Sequence, residues 1–74
     1  MKKILIVEDS STVTKILKHL IKQHPNITAL YAGSLAQGQA LYEQHEAEIF
    51  AGIIDLNLPD APNGEMVDYL LHKN

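Results

Sequence analysis

The chain has 74 residues, of which 46% are hydrophobic and 20% are charged, a composition typical of one small globular domain rather than a disordered segment. It contains no cysteine, which excludes disulfides and thiolate metal sites and fits a reducing, cytoplasmic compartment. The net charge of -3 gives no reason to expect nucleic-acid binding, and the first apolar run is too short for a signal peptide core or a membrane span.

The first half of the chain predicts a strand, a helix and a second strand. Residues 4–7 are continuously apolar, as in the central strand of a sheet. Ser10 and Ser11 then offer N-caps for a helix that should end before Pro25, because the residue before a proline avoids the α region. Residues 27–32 predict a second strand, which is less apolar and therefore suits a sheet edge. The helix shows apolar side chains at helical spacing: Val13, Ile16, Leu17, Leu20 and Ile21.

The second half repeats the alternation of helix and strand. Ser34 can cap a helix that runs to about residue 46, although Gly38 within it is a poor helix former. Residues 49–56 predict a third strand because they begin with a continuous apolar run. A loop rich in proline and glycine leads to a third helix over residues 65–73, whose last turn is basic as the helix dipole favours.

This βαβαβα order predicts a doubly wound parallel sheet. The most apolar strand, the first, belongs in the middle, and right-handed crossovers then give the strand order 2-1-3. The third strand becomes an edge, although its sequence is typical of a strand paired on both sides. An apolar edge of this kind favours association, so we expect a possible homodimer through the third-strand edge or by swapping.

Carboxylates follow two strands that should be neighbours. Glu8 and Asp9 come directly after the first strand, and Asp55 lies where the third strand ends. Because ligands bind at the carboxyl ends of strands in open α/β sheets, these three acids should share one pocket. A single acid at a strand end is usually only a solvated loop residue. Three together repel one another unless a cation lies among them, which favours a metal site.

The motifs around these acids resemble those of response-regulator receiver domains, the phosphoacceptor modules of two-component signalling. The resemblance runs through residues 4–10, residues 55–59 and Gly64, and it covers essentially the whole chain. It implies the flavodoxin-like fold, here truncated to βαβαβα. Residues 1–74 would form an incomplete receiver domain without the expected fourth and fifth strands and the last two helices. The segment 60–64 is about one residue longer than the usual turn in this family.

The resemblance also implies a role for each matching residue. Asp55 would be phosphorylated by a histidine kinase or a histidine phosphotransfer protein, so the domain would be a signalling module and not an enzyme. The metal would be Mg²⁺, which prefers oxygen ligands and usually keeps several waters. Asp9 would bind it directly, Glu8 through a water, and Asn57 through its backbone carbonyl. The predicted metal set is therefore Glu8, Asp9, Asp55 and Asn57.

Two further interpretations remain open from the sequence. A complete receiver would add a Ser or Thr and a Lys at its next two strand ends, so phosphorylation and its read-out are expected to be impaired here. The alternatives to an impaired phosphoacceptor are a degenerate receiver fragment that acts as a protein-protein assembly module without phosphotransfer, and a fragment without independent function.

Other polar residues have simpler interpretations. Ser10 and Ser11 are expected to cap a helix, since no base accompanies them as a nucleophile would require. The four histidines show no ligand spacing. Lys15, Lys18 and Lys22 form a stripe on the first helix that is either a solvated face or a docking surface.

Overall fold

A computed structural model describes residues 2–73 and confirms the predicted architecture. Three parallel strands form one sheet in the order β2-β1-β3, with the first strand in the middle. The strands are β1 (Lys2–Val7), β2 (Ile27–Ala32) and β3 (Ile49–Ile54), and the helices are α1 (Ser11–Ile21), α2 (Leu35–His45) and α3 (Glu65–His72).

The element ends differ from the prediction by one or two residues. The first strand begins at Lys2, and the third helix ends at His72. The prediction of a third strand to residue 56 is wrong, because β3 ends at Ile54 and Leu56 is 61% exposed. The chain turns away at this point because the N–H of Asn57 bends back to donate to the side chain of Asp55. The carboxylate thus ends the strand.

The main core lies between the sheet and the helices α2 and α3. Leu5 and Val7 alternate along β1 onto this face, where they meet Met66 from α3. The loop after β3 contributes two further core residues, Leu58 and Ala61, which are buried almost completely. Anchoring a loop in the core fixes its course, so the segment between β3 and α3 is a packed part of the fold.

The other face of the sheet is covered only in part. Helix α1 packs beside β2, and none of its residues from Ser11 to Ile21 is buried. The apolar side chains that the spacing predicted are present, yet Ile16 and Leu20 are 57% and 51% exposed. Ile53, on the edge strand β3, is also exposed. No helix within residues 2–73 is long and apolar enough to cross a membrane.

Candidate functional site

The three predicted carboxylates meet at the carboxyl edge of the sheet. The parallel register pairs Val7 with Ile54, so the next residues, Glu8 and Asp55, emerge side by side. The ladder continues past the strand end, since the N–H of Asp55 donates to the carbonyl of Val7 at 2.8 Å. One carboxylate oxygen from each of Glu8, Asp9 and Asp55 lies within 4.8 Å of the others. The predicted convergence of the three acids at one edge of the sheet is therefore confirmed.

Backbone N–H groups orient two of these carboxylates. The N–H of Ser10 donates to Oε2 of Glu8 at 3.2 Å, while the Ser10 side chain accepts from Val13 as the N-cap of α1. The N–H of Asn57 donates to Oδ1 of Asp55 at 2.9 Å. Asn57 therefore contacts the predicted phosphoacceptor through its N–H, and the role of its carbonyl as a metal ligand stays a prediction.

The pKa values of Glu8 and Asp55 are shifted in opposite directions. Desolvation raises the pKa of Glu8 above its usual value, and the neighbouring carboxylates of Asp55 and Asp9 add to this effect. The pKa of Asp55 is lowered, chiefly by the hydrogen bond from the N–H of Asn57 and then by a hydrogen bond from Glu8. These shifts favour the ionised form of Asp55 and the protonated form of Glu8.

The donor set fits a small divalent cation. Mg²⁺ binds oxygen at about 2.0–2.1 Å, so two ligands on opposite sides of one ion are about 4.2 Å apart. The oxygens of Glu8, Asp9 and Asp55 lie within 4.8 Å of one another, close to that span. Small rotations of these partly exposed side chains would let them share one ion. The cluster found within residues 2–73 contains no histidine, which also favours a hard, oxygen-preferring metal.

One acid near this edge was missed by reasoning from the sequence. Asp60 accepts from the backbone N–H groups of Leu35 and Ala36, at 2.7 and 3.1 Å, and so caps α2. The N–H of Leu35 is the main reason that the pKa of Asp60 is lowered. Its only signal in the sequence was the longer loop, since these partners lie 24 and 25 residues away in the chain.

The lysine stripe of α1 is exposed and lies beside the edge strand β2. Nζ of Lys18 lies 5.2 Å from the ring centre of Tyr31, on the edge strand β2. Together with Lys15 and Lys22, it lines an open groove of about 570 Å³ between α1 and β2. The lysines therefore line a groove beside β2 that contains none of the acids Glu8, Asp9 and Asp55.

The chain was compared with known proteins. No protein-family model matches it, and no curated protein matches it. A solved structure described as a probable two-component system response regulator/GGDEF domain protein is 36% identical and superposes with a TM-score of 0.80. The match covers 97% of this chain and 28% of that chain, so the chain spans less than a third of that protein. The resemblance is therefore confirmed: over nearly its whole length the chain is similar, in sequence and in its flavodoxin-like fold, to part of a response regulator.

Proposed function

We propose that the chain is the phosphoacceptor module of a two-component phosphorelay, phosphorylated on Asp55 with the help of Mg²⁺. The observation that carries this proposal is the convergence of Glu8, Asp9 and Asp55 within 4.8 Å at the carboxyl edge of the sheet. The donor would be a histidine kinase or a histidine phosphotransfer protein, and the absence of cysteine fits the cytoplasm as the compartment. The similarity to a response regulator supports this function.

One residue of the site would act as the nucleophile, and the others would orient it or hold the metal ion. A carboxylate oxygen of Asp55 would attack phosphorus as the bond from phosphorus to the donor histidine breaks, and the imidazole would leave with the electron pair. The N–H of Asn57 holds Asp55 in orientation and favours its ionised form. Mg²⁺ would neutralise charge on the phosphoryl group. Asp9 and Glu8 would hold that ion, which lets the anionic acceptor approach an anionic donor.

Binding of beryllofluoride, an analogue of the phosphoryl group, tests this proposal directly. We expect the protein to bind beryllofluoride only when Mg²⁺ is present, as seen by fluorine NMR. Asp55→Asn should abolish this binding because the acceptor carboxylate is lost. Asp68→Asn makes the same chemical change at an exposed residue of α3, outside the acidic cluster. This variant should bind beryllofluoride like the wild type. If the wild type fails to bind, or if Asp55→Asn binds equally well, the proposal is wrong.

The edge of the sheet favours a second candidate function, an assembly module without phosphotransfer. Strand β3 pairs with β1 on one side and forms an edge of the sheet described for residues 2–73. Phe50 and Ile53 on this strand are 53% and 41% exposed, which is unusual for large apolar side chains on an unprotected edge. This function predicts a homodimer that Asp55→Asn leaves intact. Sedimentation of a folded monomer at high protein concentration would refute it.

A further inference from the structure

The loop that follows Asp55 is fastened to the fold both at its base and at its tip. At its base, the N–H of Gly64 donates to the carbonyl of Leu56 at 2.9 Å. At its tip, Leu58 and Ala61 exchange two backbone hydrogen bonds of 3.1 Å and are both buried in the core. Asp60 lies within this tight turn. The turn therefore directs the Asp60 side chain, while the buried Leu58 and Ala61 anchor the backbone on either side of it.

The N-terminus of α2 receives its negative charge from this loop. The first turn of the helix contains no acidic residue of its own. Ser34, the N-cap, accepts from the N–H of Gln37, and Asp60 accepts from the N–H groups of Leu35 and Ala36. The first N–H groups of a helix have no partner within the helix and carry its positive end. Asp60 thus meets both needs of α2, a pair of acceptors and an anion.

We propose that Asp60 is a positioning residue for the phosphoacceptor: it ties the loop after Asp55 to the N-terminus of α2 and so holds Asn57 against Asp55. Two residues separate Asp60 from Asn57 along the chain, and one of them is the buried Leu58. Because the tip of the loop is fixed at Asp60 and Leu58, the Asn57 N–H has little freedom to leave Oδ1 of Asp55. This inference deepens the proposed function and rests on it for its effect on metal binding.

A pair of cap variants separates this role from simple support of α2. Asp60→Ala removes the cap and the tie to the loop, whereas Ser34→Ala removes a cap of the same helix and leaves the loop attached. The first readout is amide hydrogen exchange of Asn57 by NMR in metal-free protein. We expect Asp60→Ala to accelerate this exchange roughly tenfold, as local opening of the loop predicts, and Ser34→Ala to leave it unchanged.

The second readout is Mg²⁺ affinity measured by calorimetry. Loss of a group that orients a metal ligand typically lowers affinity about 10–100-fold, and Asp60 acts one contact further away, so we expect roughly a 3–10-fold loss. Ser34→Ala should change the Mg²⁺ affinity by no more than about twofold, which distinguishes it from Asp60→Ala. Asp60→Asn keeps the shape and one acceptor oxygen, so it should fall between wild type and Asp60→Ala. It carries the test if the alanine variant does not fold.

The outcomes are distinguishable from those of the proposed function. If Asp60→Ala and Ser34→Ala change Asn57 exchange equally, or if neither changes it, the positioning role is wrong. A wild type that binds no Mg²⁺ would refute the proposed function, and the exchange measurement in metal-free protein would still decide the role of Asp60.

Discussion

Gly38→Ala is expected to destabilise the protein, although alanine is the better helix former. Gly38 lies in the interior of α2, where alanine should be favoured by about 1 kcal/mol. A Cβ at this position, however, would lie 3.1 Å from Cγ2 of Val7 and 3.1 Å from Cε of Met66. Both neighbours are fully buried, and carbon atoms pack best at about 3.5–4.0 Å. The methyl group therefore has to displace part of the core.

The magnitude follows from which neighbour can move. Met66 is flexible and can shift its end, whereas Val7 is β-branched and held in the central strand. Overpacking of a core typically costs about 1–3 kcal/mol. After the gain of about 1 kcal/mol in helix propensity, the net loss of stability should be about 0–2 kcal/mol. A core without this close contact would instead give a gain.

Urea unfolding followed by circular dichroism measures this difference. Ala40→Gly, on the exposed side of the same helix, isolates the propensity effect and should destabilise by about 1 kcal/mol. In a Met66→Ala background, Gly38→Ala should become less harmful or stabilising, because the space left by Met66 admits the new methyl group. If Gly38→Ala stabilises the otherwise unchanged protein by about 1 kcal/mol, the reasoning from close packing is refuted.

Two further predictions concern residues beside the site. Ser10→Ala should lower stability by about 0.5–2 kcal/mol by removing the N-cap of α1, seen in urea unfolding. It should leave Mg²⁺ affinity unchanged, because Glu8 accepts from the backbone N–H of Ser10 and not from its side chain; a matching loss of affinity would contradict this assignment. Asp60→Asn should change the pH dependence of the melting temperature. Because the folded-state pKa of Asp60 is lowered, mainly by the N–H of Leu35, its stabilising effect is complete above its ordinary pKa of about 3.9 and is lost as the pH falls through the lower folded value. The difference between wild type and Asp60→Asn should therefore be largest near neutral pH and shrink in acid, and a difference that grows in acid would refute this account.

The fold could be predicted because its elements depend on local patterns. Continuous apolar runs identified the first and third strands, and the uniformly apolar residues 4–7 placed the first strand in the middle of the sheet. Ser10 and Ser34 were recognisable as caps because an N-cap bonds to a residue only three positions away. Strand ends were less predictable. The third strand was predicted to continue to Leu56, yet the hydrogen bond from Asn57 to Asp55 ends it before that residue.

Contacts between distant residues account for most of what the sequence did not predict. Gly38 is a poor helix former, so its place within α2 had no explanation in the sequence. The reason lies in distant residues, because Val7 and Met66 would lie only 3.1 Å from a Cβ at this position. The helix α1 and its apolar stripe were predicted correctly, but the stripe lies largely exposed. Burial depends on what packs against a helix and not on the spacing of the helix's own residues. Spacing within one element is visible in a sequence, and the partners of that element are not.

The electrostatics of the carboxyl edge supply the strongest physical argument for a cation at this site. Asp60 lies close to the same edge, and the two N–H groups of α2 satisfy its charge, so the pKa of this acid is lowered. Glu8 accepts from one backbone N–H, and its pKa is raised, first by desolvation and then by the neighbouring Asp55 and Asp9. Carboxylate oxygens of Glu8, Asp9 and Asp55 lie within 4.8 Å of one another and repel, and a cation among them would relieve that repulsion. The β-strand register that brings Asp55 beside Glu8 creates this cluster, whose donor set fits a divalent cation.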